Sequence, residues 1–346
     1  MKKTKMGFGI QMGIMIAAGL IVLPALAALQ TQTREASPWR IVRVSSAFDA
    51  LVPKDAQFEK VAGGFEWVEG PVWNKKEGYL LFSDIPNNSI FQWKGGSGIK
   101  LFLKPSGYMG TAPFEGREPG SNGLTFDPSG HLVMCEHGDR RISRLEADGS
   151  KTTLVDRYQG KRLNSPNDVV FKSNGDMYFT DPPFGLPKSF DDPAKELPFQ
   201  GVYRVSKTGE VTLLTNKVKA PNGIAFSPDE KTLYVSNADR TNAVWMAFPV
   251  NADGTLGEGR VIFNATEWAK TKKGVPDGMK VDGKGNLFGA GPGGLHIISP
   301  EGKHLGSFEI DVPTSNCAWG NDGSMLYITA NTEIYRIRLN TKGPGY

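Results

Sequence analysis

The chain has 346 residues with a formal net charge of +4, 42 glycines, 23 prolines and only two cysteines. Three of the lysines fall in an N-terminal leader, so the remainder carries about +1, a balance that gives no basis for nucleic acid or an anionic membrane surface as partner. Glycine and proline scattered between short strand-like runs, with little 3.6-residue periodicity, point to an all-β fold with many turns.

The leader comes first in chain order. Lys2, Lys3 and Lys5 precede a nearly continuous apolar stretch from Gly7 to Leu23, and Ala25-Leu-Ala27 fits a small-residue cleavage site. An uncleaved anchor competes, because about 17 apolar residues are borderline for a membrane span. The Ala-x-Ala box and the polar segment at 30–34 favour cleavage. The expectation is a signal peptide over 1–27, export to a periplasm or the medium, and one domain over 28–346 without stable membrane contact. Nothing in the chain calls for more than a monomer or weak oligomer.

From residue 60 onward a unit repeats six times, each opening on an oxygen-bearing side chain before a short apolar strand. The segments are Glu69-Gly-Pro-Val-Trp, Asn122-Gly-Leu-Thr-Phe, Asn167-Asp-Val-Val-Phe, Asn222-Gly-Ile-Ala-Phe, Asp277-Gly-Met-Lys-Val and Asn316-Cys-Ala-Trp-Gly. They are separated by 53, 45, 55, 55 and 39 residues. Repeats of this length built from short strands and turns are the signature of a β-propeller, one blade per unit. A six-bladed β-propeller is therefore expected. Outer strands are expected at 89–93 and 99–103, 141–145 and 152–155, 201–205 and 211–215, 243–248 and 259–263, and 295–299 and 304–308. The last unit ends after 334–339, so a strand from 39–44 or 58–61 should complete it and close the ring without a free edge. Two insertions, 106–120 and 184–200, are candidates for an active-site loop or an idle one. Cys135 and Cys317 lie in units whose inner strands are not neighbours, and read as separate buried thiols.

The six marked residues share one phase, so they should ring the central channel. Glu69, Asn167, Asn222 and Asp277 combine two carboxylates with two amide oxygens, a donor set that suits Ca²⁺. Zinc is disfavoured, because neither cysteine nor His131, His137, His296 or His304 stands at ligand spacing. Taken singly, Asn-Gly and Asp-Gly are ordinary turn dipeptides; the shared phase is what argues for a site. No Gly-x-Ser-x-Gly elbow or nucleotide-binding loop occurs.

At these motifs the chain resembles the senescence-marker-protein/gluconolactonase (regucalcin-like) family, and most of all its exported bacterial gluconolactonases. The resemblance rests on Val68-Glu-Gly-Pro-Val-Trp73, Arg117-Glu-Pro-Gly-Ser-Asn-Gly123, Gly160-Lys-Arg-Leu-Asn-Ser-Pro-Asn-Asp168, Tyr178-Phe-Thr-Asp-Pro-Pro-Phe-Gly185, Pro221-Asn-Gly223, Tyr234-Val-Ser-Asn-Ala-Asp239 and Pro276-Asp-Gly-Met279. It implies one divalent cation, Ca²⁺ in most members and Zn²⁺ or Mg²⁺ in some, held by Glu69, Asn167, Asn222 and Asp277. Regucalcin-type members carry an arginine where this chain has Ser165, so their way of holding sugar hydroxyls does not transfer.

The implied reaction is hydrolysis of a sugar lactone, D-glucono-1,5-lactone to D-gluconate, with Asp277 as general base. Water activation by the cation itself is the alternative route. Asn122, His137, Asp181 and Asn237 are further candidates for substrate contacts, while Arg140 is expected at the surface or paired with an acid. Two other readings compete: hydrolysis of another lactone or an organophosphate ester, and a non-catalytic calcium- or ligand-binding propeller.

Overall fold

The computed structural model describes residues 37–346; the expected signal peptide over 1–27 and the expected start of the domain at 28 lie outside the described residues. Six antiparallel sheets follow one another along the chain and form the six blades of a propeller. Their innermost strands are Val68–Asn74, Ser121–Phe126, Val169–Phe171, Pro221–Phe226, Met279–Val281 and Thr314–Gly320. Each next strand of a blade turns back antiparallel, so its C-terminal end returns to the level where the inner strand begins.

Burial follows position in the blade. The second strand Leu132–Glu136 is buried at every residue, because neighbouring blades cover both faces. The outer strand Gly98–Leu103 has four exposed residues in succession. Apolar side chains pack in seams between blades rather than in one central core. Leu81 and Ile90 meet Leu124 and Met134 in one such seam. Val133 and Cys135 meet Val169 and Phe179 in the next. Val68 and Phe82 meet Ala318 and Tyr327 where first and last blades join. The channel is thus left to polar side chains.

The N-terminal region adds a strand to each of two blades. Phe58–Gly63 pairs with Glu333–Arg338 and completes the sixth blade, as the second of the two sequence expectations had it. The other segment, Arg40–Arg43, adds a fifth strand to the fifth blade against Gly306–Glu309 instead. Cys135 and Cys317 are both buried and free. Among the described residues no helix is long and apolar enough to cross a membrane.

Candidate active site

The marked residues do gather, and β-bulges are what bring them there. Strand register shifts between Glu69 and Val72, Ser121 and Leu124, Pro221 and Ile224, and Thr314 and Asn316. A bulge beside the marked residue in four blades re-aims its side chain. The Asn122-Gly123 and Asn222-Gly223 pairs are therefore bulge residues inside strands, and Asp277-Gly278 directly precedes its strand; none is a hairpin turn. Glycine is required there because the next blade lies directly against it. A Cβ on Gly70, whose φ is +52°, would stand 2.0 Å from the Asn122 carbonyl oxygen. One on Gly278 would stand 2.0 Å from the Asn316 side chain.

Blade-to-blade bonds continue around the channel. The Gly123 amide donates to the Asn167 carbonyl at 2.8 Å and the Gly278 amide to the Ser315 carbonyl at 2.7 Å. Second-strand hydroxyls of one blade hold the ring residue of the next. Ser83 donates to the Asn122 carbonyl (2.9 Å), Thr180 to that of Asn222 (2.6 Å) and Ser236 to that of Asp277 (2.9 Å). The circle closes where the Asn316 amide donates to a Glu69 carboxylate oxygen at 3.2 Å. With their backbones held in this way, Asn167 and Asn222 do not need their side-chain amides for the fold.

Two acids meet at the ring. Glu69 and Asp277 come from the first and fifth blades, Glu69 buried and Asp277 half-buried, and their carboxyl groups lie within hydrogen-bonding reach of each other. Burial pushes Glu69 up to about 7 from 4.5, partly offset by the Gly70 amide at 2.8 Å. Burial, then the neighbouring Glu69 charge, holds Asp277 well above the ordinary carboxylate range. A third carboxylate, Asp168, was not singled out from the sequence. It occupies the position filled by glycine in four of the other units, accepts from the Val169 amide (2.9 Å), and is raised by burial against the opposing charge of Lys280.

These residues fit a divalent cation. Two neighbouring acids, both with proton affinity raised by burial, have no ion-pair partner among the described residues. No group of three or more His, Cys, Asp and Glu side chains is assembled among the described residues, so amide oxygens must complete the shell. A shell of carboxylate and amide oxygens suits Ca²⁺ or Mg²⁺ better than Zn²⁺.

His137 stands beside the ring. Its strand pairs Glu136 with Ser121, and the His137 amide donates to the Gly120 carbonyl at 3.1 Å. The imidazole is fully buried; Nδ1 lies 2.8 Å from Glu118 Oε2, and Nε2 has no partner among the described residues. Glu118, another residue the sequence reading passed over, is carried by the 106–120 insertion. The 184–200 insertion starts against the same histidine, since a Cβ on Gly185 would meet His137 Cβ at 2.6 Å.

Other sequence candidates have bracing parts. Asp181 accepts the backbone amides of Asn164 (2.8 Å) and Ser165 (2.9 Å), fixing the loop that delivers Asn167. Asn237 does the same before Asn222, accepting from the Ala220 amide (2.9 Å) and donating to the Asn242 carbonyl (2.8 Å). Asp84 repeats the pattern in the first blade with the Trp67 amide at 3.2 Å. Arg140 departs from expectation: it is 6% exposed and donates to the carbonyls of Leu163, Asn164 and Ala194. It ties the 184–200 loop to the one carrying Asn167. Ser165 Oγ adds to that tie, donating to the Pro182 carbonyl (2.7 Å) and accepting from the Gly185 amide (2.9 Å).

Aromatic side chains collect at the opposite end of the inner strands. A cavity of about 480 Å³ there is walled by Trp73, Phe126, Phe171, Phe226 and Trp319, and none of the ring residues lines it. The ring end is polar: Glu118, bonded to His137, is near enough to Glu69 for its charge to raise that acid's proton affinity.

A six-bladed propeller with a sealed ring of carboxylates and amides at one end of its channel defines the class of protein. Residues 67–332 match the family described as SMP-30/Gluconolactonase/LRE-like region, and the chain belongs to that family. It is 39% identical over 311 residues to a gluconolactonase of Zymomonas mobilis, covering 88% of this chain and 87% of that one. The solved structure of a Xanthomonas campestris gluconolactonase matches with a TM-score of 0.75 at 32% identity, over 87% of this chain and 95% of the other. Regucalcin of Xenopus laevis is 29% identical across 76% of this chain and 82% of its own length.

Proposed function

We propose that the protein is a divalent-cation-dependent lactonase whose substrate is D-glucono-1,5-lactone. That it is a lactone hydrolase rests on the family and on relatives named gluconolactonase along nearly their whole length. The finer reading rests on one observation above the others, the meeting of Glu69 and Asp277 in an enclosed ring of amides. Glu69, Asn167, Asn222 and Asp277 would hold the cation, Ca²⁺ first and Mg²⁺ or Zn²⁺ as alternatives. When bound, it supplies the positive charge that keeps both acids ionised and draws electrons from a lactone carbonyl.

The chain's own residues account for the rest. Asp277 is the general base: its carboxylate takes a proton from the water that attacks the carbonyl carbon. It returns that proton to the ring oxygen as the acyl C–O bond breaks, giving the hydroxy acid. Asn122 and His137 border the space above the acids and contact the substrate. Rigid bracing by Asp181, Asn237 and Arg140 holds the delivering loops in place, which is what positioning requires.

The test is hydrolysis of a panel of lactones by purified protein, above the spontaneous rate, before and after chelation. Turnover that chelation abolishes and calcium restores supports the reading. A metal-free protein of undiminished activity refutes the cation's part. We also propose export, on the strength of the Lys-rich, apolar, Ala-x-Ala leader alone.

A further inference from the structure

We infer that His137 and Asn122 form a pair of buried hydrogen-bond acceptors that selects lactones by their hydroxyl groups, with Glu118 as the positioning residue that makes His137 an acceptor. The inference rests on the lactonase reading and names what that site recognises.

The chemistry of the two orphan atoms carries it. Asn122 Oδ1 and His137 Nε2 are both buried, both at the ring end, and neither has a partner among the described residues. Asn122 is 4% exposed and His137 0% exposed. An amide oxygen can only accept. A neutral imidazole has one accepting and one donating nitrogen, and the partner at the far nitrogen decides which is which. Here Glu118 Oε2 sits 2.8 Å from Nδ1. A carboxylate accepts, so the proton rests on Nδ1 and Nε2 presents a lone pair.

Two acceptors cannot satisfy each other. Buried acceptors left without donors are costly, so the pair demands two donors from whatever enters. A polyol lactone brings hydroxyl donors; an unsubstituted lactone brings none, because its oxygens only accept. A site built to bond a hydroxyl rejects the analogue that lacks it far more strongly than an apolar pocket rejects an extra methylene. Aromatic side chains, which would suit apolar esters, line the cavity at the other end of the inner strands. The 106–120 insertion thereby acquires a role: it brings Glu118 to His137.

The experiment compares kcat/KM for D-glucono-1,5-lactone with that for unsubstituted δ-valerolactone at one fixed pH. The readout is the ratio, which general damage to the protein leaves alone. Wild type should favour the hydroxylated lactone. His137→Ala and Glu118→Ala should each lower the ratio roughly 10- to 100-fold. Glu118→Gln, whose amide oxygen can still accept from Nδ1–H, should restore most of it. An unchanged ratio in both alanine variants overturns the inference. So does a wild type that turns over both lactones equally, an outcome that leaves the lactonase reading standing. A wild type that hydrolyses neither lactone refutes that reading and the inference with it.

Discussion

Replacing Glu69 by Gln should stabilise the cation-free protein at pH 8 and remove most of its response to calcium. The magnitude comes from the carboxyl pair. Burial lifts Glu69 from 4.5 to about 7 in the folded protein, so the native state holds its proton more tightly than the unfolded chain does. The stability this contributes is complete below about pH 4.5, is lost as pH rises toward about 7, and stays lost above that. At 1.36 kcal/mol per pH unit, the interval corresponds to about 3 kcal/mol. Glutamine keeps an oxygen for the Gly70 amide but carries no charge, so the variant escapes the loss. For a domain of this size that is a melting difference of roughly 6 °C at pH 8 and near zero at pH 4.5. The assay is thermal melting of exhaustively dialysed wild type and variant across that range. Added calcium should then close most of that gap at pH 8, since a cation at a hundredfold excess over its Kd adds about 2.7 kcal/mol to the wild type. A wild type that is already the more stable of the two at pH 8 without cation would refute the reasoning.

Asp277→Asn should lower lactone turnover by about 100- to 10,000-fold, the usual contribution of a general base, in a protein that melts as a folded domain. Near wild-type turnover in the calcium-loaded variant removes Asp277 from the reaction. Asp181→Ala should cost about 2–4 kcal/mol in urea unfolding, because the Asn164 and Ser165 amides both lose their acceptor. The variant should keep the wild-type preference between hydroxylated and unsubstituted lactones; a lost preference would return Asp181 to the substrate. Mass spectrometry of the protein from its native host should find an N-terminus at or near Ala28, whereas an intact Met1 in the membrane fraction would establish an anchor.

The blades were legible because the repeat is long and its phase is marked. Each unit shows one polar residue, a bulge glycine or its substitute, and an apolar strand, and the period alone orders the inner strands around a channel. The ring followed from that phase. Its third acid was in plain view at Asp168, yet the eye stops at Asn167. The sign was available: in the position after the marked residue, four units have glycine because the next blade lies directly against it. A carboxylate there must point elsewhere, and it accepts from the Val169 and Ile224 amides. The two N-terminal strands were harder to assign, because either 39–44 or 58–61 could close the last blade by composition. Only pairing distinguishes Phe58–Gly63 on the sixth from Arg40–Arg43 on the fifth.

Phase gives a side chain's level along the channel but not what it touches. That is why Asp181 and Asn237 read as substrate contacts. At the end of a second strand, a Ser/Thr-Asp/Asn pair brings oxygen atoms to the ring level, and the same level is where the incoming loop exposes its amides. The loop is covalently tethered and always present, so it claims those oxygens first: Asp84, Asp181 and Asn237 all bond it. Glu136, in the same place in the second blade, is engaged by Arg141, Ser143 and Lys151 instead. In that blade the insertion at 106–120 supplies the incoming backbone, and Ser106 Oγ takes the Ser121 amide. The same insertion places Glu118 on His137. Site chemistry therefore concentrates where the repeat is broken: an irregular insertion displaces the internal brace and can bring in a residue that no periodicity predicts. The regular blades build and hold the ring, and the irregular one equips it to recognise what enters.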